Sequence, residues 1–245
     1  MKSVRSMLIA ALLGCTVTAA VAQKTAQAPT GATAAAVPVM SGEMTRAAQL
    51  DYAARVKDLI KRGESPNATD DHGVPLIVYA AKFKADSVVA ALAENPDTDL
   101  DAVDPAGENA LMLAAINQDQ PMVQLLLDKD AEVNKTGWTP LHYAASGGDD
   151  AIVKLLLDHA AYIDAGSPNG STPLMMAAAA GHETTIKLLI DEGADVTIKN
   201  QLGLNAADIA KRYNQHDIAD DLSKRIADKA TSKPAAGAGV APAKP

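Results

Sequence analysis

The chain has 245 residues, 48% hydrophobic but only 3% aromatic, with 22 basic and 30 acidic side chains and a net charge of −8. That balance argues against nucleic acid or an anionic membrane surface as a main partner, since both carry the same sign of charge. The single cysteine, Cys15, cannot form a disulfide within the chain, so packing alone must hold the fold.

The first element in chain order is an export signal over residues 1–22. Lys2 and Arg5 make a charged start, Met7 to Val21 is mostly apolar or small, and Ala20-Val21-Ala22 offers a small-x-small cleavage site before Gln23. Cleavage after Ala22 would place the protein in the periplasm. It would leave 20 basic against 30 acidic residues, a net charge of −10. The stretch is too short and too weakly apolar to span a membrane, and no membrane insertion is expected after cleavage. An alternative is Leu12-Leu13-Gly14-Cys15, which resembles a bacterial lipobox and would make a lipoprotein anchored at Cys15. Residues 23–42, rich in Ala, Thr, Pro and Gln, read as a flexible linker, and residues 228–245, rich in Ala, Pro and Lys, as a disordered tail.

Between them, residues 43–227 repeat. Gly73, Gly107, Gly137, Gly170 and Gly203 are spaced by 34, 30, 33 and 33 residues. Two residues after each comes a short segment: Pro75-Leu76-Ile77, Asn109-Ala110-Leu111, Thr139-Pro140-Leu141, Thr172-Pro173-Leu174 and Asn205-Ala206-Ala207. Alanine pairs and then aliphatic clusters follow. A degenerate unit precedes them (Met44, Ala47-Ala48, Val56, Leu59-Ile60) and another closes the series (Ile218, Leu222), giving about six units. A fixed period of this size means stacked units, each unable to bury its apolar face alone.

The physics of one unit is legible. Thr139 can cap a helix by accepting from an orphan amide, and Pro140 suits the first helical position. Ile152, Leu155 and Leu156 share one face of a second helix. Gly147-Gly148 and Gly181 break the chain between the two helices. The interval of 30 residues places a three-residue deletion near Val133-Asn134-Lys135-Thr136. A shortened loop and a local notch are expected there.

The run Gly137-Trp138-Thr139-Pro140-Leu141-His142-Tyr143-Ala144-Ala145 resembles the ankyrin repeat, whose signature is T-P-L-H-x-A in a unit of 33 residues. Gly181-His182 and Gly193-Ala194-Asp195-Val196 are similar to ankyrin positions too. The resemblance implies an all-α solenoid of helix-turn-helix units joined by finger loops. It implies a monomer that binds a protein partner through its concave surface of fingers and first helices. His142 and His182 would then bond locally and hold loops together.

Carried onto this chain, that surface supplies the partner-binding candidates. The finger positions contribute His72, Val74, Glu108, Trp138, Ser171 and Leu204. The ends of the first helices contribute Lys82, Phe83, Ile116, Asn117, Arg212 and Tyr213. Phe83 and Trp138, the only Phe and Trp, stand out because binding hot spots favour aromatics.

Asp97, Asp99, Asp101 and Glu108 fall at positions 1, 3, 5 and 12 of an EF-hand-like loop, but Ala102 stands where the turn needs glycine. No catalytic, metal or cofactor motif is assigned. The expected function is a non-catalytic protein-interaction module of the bacterial periplasm or cell envelope. Narrower alternatives are an inhibitor or immunity protein against an envelope enzyme or toxin, an accessory to oxidative stress defence, and a secreted effector.

Overall fold

The structure, a computed structural model, describes residues 37–232. These form short helices in pairs. Inner helices are α1 (Gly42–Gln49), α3 (Leu76–Lys82), α5 (Ala110–Ile116), α7 (Pro140–Gly147), α9 (Pro173–Ala180) and α11 (Ala206–Arg212). Their outer partners are α2 (Ala53–Lys61), α4 (Asp86–Ala93), α6 (Gln120–Asp128), α8 (Asp150–Asp158), α10 (Glu183–Asp191) and α12 (His216–Ser232). Each inner helix packs on the inner helices of its neighbours, the outer helices α2 to α10 pack on one another in the same order, and α12 packs on its own inner helix α11. This is the all-α solenoid the sequence predicts.

Helices of seven to nine residues do not persist alone in water, so caps and packing must hold them. The Oγ of Ser41 accepts from Met44 N–H at 3.0 Å, and the Oδ1 of Asn109 accepts from Met112 N–H at 2.9 Å. Thr172 and Asn205 cap α9 and α11 in the same way, and at the start of α7 Thr139 pairs with His142, whose Nδ1 lies 2.8 Å from Thr139 Oγ1. Each cap contributes about 1 kcal/mol. The paired alanines, such as Ala114-Ala115 and Ala144-Ala145, are buried and thin enough for inner helices to approach closely. Val88, Val123, Ile152, Leu156 and Leu189 bury the facing stripe of the outer helices, and one continuous core cluster runs from Met40 to Leu222.

The turn between the two helices of a unit passes through a left-handed residue: Asp51, Lys84, Gln118, Gly148, Gly181 and Asn214 in successive units. At Gly148 the glycine is required by space as well as by its φ of +74°. The His182 ring of the next unit comes within 2.4 Å of where a side chain would begin. That ring lies with Nε2 3.1 Å from the Ser146 carbonyl, a link between units of the kind the resemblance implies for His182.

Two boundaries move. The last residues assigned to the linker belong to the array. Met40 N–H donates to the Thr69 carbonyl at 2.7 Å, Thr69 N–H donates to Pro38 O at 2.9 Å, and Met40 is buried. At the other end α12 continues to Ser232, five residues into the segment expected to be a disordered tail. Lys229 helps to hold it there, with Nζ 2.7 Å from Asp195 Oδ1. The signal segment, the Cys15 anchor, residues 23–36 of the linker and the tail beyond 232 lie outside the described residues. Among the described residues, no helix is long and apolar enough to cross a membrane.

Candidate partner-binding surface

Four of the five finger loops share one geometry. Asp70 N–H donates to Val74 O at 2.9 Å, and Gly73 N–H returns to Asp70 O at 3.0 Å. The same pair of bonds closes Asp104–Glu108, Ser167–Ser171 and Asn200–Leu204. A side-chain oxygen of the first residue holds each turn, as Asp70 Oδ1 does by accepting from His72 and Val74 N–H.

The remaining finger, third in chain order at residues 134–138, makes none of these bonds. Elsewhere a polar residue six positions before the glycine reaches into the next unit. Asn67 Oδ1 accepts from Asp99 N–H at 2.8 Å, and Asp101 Oδ1 accepts from Glu132 N–H at 2.7 Å. Asn134 does this for Tyr162 N–H at 2.8 Å, yet stands only three positions before Gly137. The deletion has therefore removed the finger tip and kept its base. Lys135 reaches back instead, its Nζ 2.8 Å from the Gly107 carbonyl.

The predicted site residues divide by burial. His72, Lys82, Phe83 and Arg212 are exposed. Lys82 is not free, because its ammonium lies 2.6 Å from Asp104 Oδ2 in the next finger. Burial alone would raise the Asp104 pKa, but Lys82 and the Glu108 and Ala106 amides outweigh it and hold the carboxyl below its ordinary value. Val74, Ile116, Leu204 and Tyr213 are half-buried against the core, and Asn117 is half-buried at the end of α5. Glu108 accepts from the Tyr143 hydroxyl at 2.9 Å. Burial pushes the Tyr143 phenol well above its ordinary pKa, so it stays a donor.

Ser171 is a correction. It is buried, its N–H bonds Ser167 Oγ and Asn169 Oδ1, and its carbonyl takes a bond from His142 Nε2 at 2.9 Å. Its backbone is committed to bonds inside the array, and its burial sets it apart from the exposed finger positions. Trp138 is half-buried with its ring edge-on to His142 at 5.2 Å. It does not pair with Phe83, which stacks on Tyr79 at 4.9 Å.

Sequence reasoning missed Leu50 and Tyr79. Leu50 lies 33 residues before Phe83 and is 46% exposed, as Phe83 is. Tyr79 is one helical turn before Phe83. With the Asp70-Asp71-His72 finger tip, Thr45, Arg46 and Gln49, they border an open groove of about 950 Å³. Its lining is mixed: Met40, Leu50 and Tyr79 supply apolar and aromatic surface among these polar and charged side chains, a composition found at protein interfaces, where a few apolar anchors sit inside a polar rim.

Nothing in the EF-hand-like stretch gathers around a point. Asp101 is taken by Glu132 and Glu108 by Tyr143. Among the described residues, no three of His, Cys, Asp and Glu are grouped to hold a metal.

Comparison with known families decides the classification. The family description "Ankyrin repeats (3 copies)" matches residues 44–136, 76–167 and 161–232. The chain belongs to the ankyrin-repeat family. Ankyrin arrays are protein-interaction modules. The array is similar to the Mus musculus B-cell lymphoma 3 protein homolog, 30% identical over 186 residues that cover 73% of this chain and 42% of that protein. It is also similar to ankyrin repeat and SAM domain-containing protein 6 of Rattus norvegicus, 34% identical over 109 residues, 43% of this chain but only 12% of that protein. In both cases the chain spans less than half of the relative.

Among solved structures, the ankyrin array resembles a chain of the complex between a predatory endopeptidase of Bdellovibrio bacteriovorus and an immunity protein. The TM-score is 0.66 at 28% identity, over 76% of this chain and 98% of that one.

Proposed function

We propose that this ankyrin array is a non-catalytic module of the bacterial periplasm or cell envelope that binds one protein partner, as a monomer, through the concave face of its first two units. The observation that carries the proposal is the groove bordered by Leu50 and Tyr79 and flanked by Phe83. It joins exposed apolar and aromatic side chains to a rigid scaffold. Such a surface loses little conformational freedom on binding. The envelope location rests on the charged start, apolar stretch and Ala20-Val21-Ala22 site of the N-terminal segment, with anchoring at Cys15 as the alternative.

The partner is to be captured from a native envelope extract and its affinity measured by titration. The Leu50→Ala/Phe83→Ala variant is expected to bind at least tenfold more weakly, about 1.4 kcal/mol. Its melting should change little, because both side chains are about half exposed. Equal affinity of the two proteins would move the site away from this groove.

A second, narrower reading is an inhibitor or immunity protein that plugs an envelope enzyme. The likeness to a chain of the endopeptidase–immunity complex supports it. On that reading the captured partner is an enzyme, and the array abolishes its activity at one-to-one stoichiometry.

A further inference from the structure

The row of fingers is stacked everywhere except at one place. Pro105 of the second finger lies against Gly73 of the first, its Cγ 3.6 Å from where a Gly73 side chain would begin. Pro168 lies against Gly137 in the same way, at 3.7 Å. Gly170 is covered by the backbone of Asn200 and Gln201 at 3.4 Å, and Gln201 N–H bonds Asn169 O at 3.0 Å. Gly203 is bare because it ends the row. Gly107 has the same left-handed backbone, with φ of +82°, and yet nothing lies within 4 Å of the corresponding point. The tip that would have covered it is the part deleted between Asn134 and Gly137.

We propose that this gap is a docking slot for a proline-containing tight turn of the protein partner, which takes the place of the missing finger tip. The proposal rests on the concave-surface reading above and deepens it. The chain itself shows what fits: at Gly73 and at Gly137, a proline ring from a tight turn covers the open glycine face. The slot offers the same glycine face at Gly107. Two charges of opposite sign border it: the Lys135 ammonium, which donates to the Gly107 carbonyl at 2.8 Å, and the Glu108 carboxylate, which accepts from Tyr143. A partner turn gains ring-on-backbone contact there without displacing any finger, because the second and fourth fingers are each closed by their own hydrogen bonds.

The test uses the full chain and a cyclic peptide carrying Ser-Pro-Asn-Gly-Ser, the sequence of residues 167–171. Binding is followed by amide chemical shifts and by the fluorescence of Trp138, the only tryptophan, one residue from Gly137. The expected result is a saturable response with shifts confined to residues 104–108 and 134–138. The peptide with Ala in place of Pro should bind at least fivefold more weakly. A variant with three residues inserted after Asn134, shown to be folded by its melting curve, should lose the response. No response in the native chain, equal binding of both peptides, or shifts centred elsewhere would overturn the proposal. Binding seen only after removal of residues 233–245 would seat the chain's own tail in the slot and also overturn it. Any of these failures leaves the Phe83 titration unaffected, so the slot and the groove are tested separately.

Discussion

Leu156→Ala is expected to lower the stability of the array by about 2–5 kcal/mol. Leu156 lies on α8, the outer helix of the fourth unit, and is fully buried. Its helix packs between α6 and α10 as well as on α7, so the lost side chain opens a cavity that neighbours on both sides line. With Cys15 the only cysteine, no disulfide within the chain ties the units together. Stability is a sum of unit and interface terms, and a defect in a central unit weakens two interfaces at once. Urea denaturation followed by circular dichroism measures the effect as a fall in midpoint. A midpoint equal to that of the native chain would mean that units are not held by the outer-helix stripe, and the packing account would be wrong.

Acid should destabilise the protein through His142. This imidazole is fully buried between the fourth and fifth units. Its Nδ1 faces Thr139 N–H at 3.2 Å, and its Nε2–H donates to Ser171 O at 2.9 Å. Both ring nitrogens are thus used by the neutral form. Burial pulls the pKa down to about 4, partly offset by the Ser171 and Ala165 carbonyls. The unfolded chain takes a proton on this residue near pH 6.5. Because the folded pKa is the lower one, the stabilising contribution is complete above about pH 6.5 and is lost as the pH falls towards 4. The loss by pH 4 is about 3 kcal/mol. The clean control is His142→Met, since Met112 and Met175 occupy the matching positions of the adjacent units. Denaturation at pH 7, 5.5 and 4 should show the native chain losing about 3 kcal/mol more than the variant. Parallel losses in the two proteins would contradict the assignment of a buried neutral imidazole.

Much of this was legible in the sequence because it is periodic. The glycine spacing, the Thr-Pro starts and the aliphatic clusters repeat, and each repeat reports the same local physics. Even the shortened finger showed in the spacing, since one interval of 30 residues among intervals of 33 and 34 must remove something. What could not be read depends on contacts between units. Ser171 resembles an exposed finger residue until His142, 29 residues earlier, is seen to bond its carbonyl. Lys82 seems free until Asp104 is placed beside it. Trp138 and Phe83 are equally conspicuous as letters, yet one leans on His142 and the other stands half exposed on Tyr79. The start of the array was misplaced for the same reason. Pro38 and Met40 carry no helical period, and only their pairing with Thr69 shows that they belong.

A protein partner held on the concave face of the first two units should leave its imprint on amide hydrogen exchange of the array, measured with and without that partner. Added protection is expected in α1, α3 and the Asp70–Val74 finger, with the outer helices α2, α4 and α6 unchanged. Protection confined to the outer helices, or to α11 and α12, would contradict it.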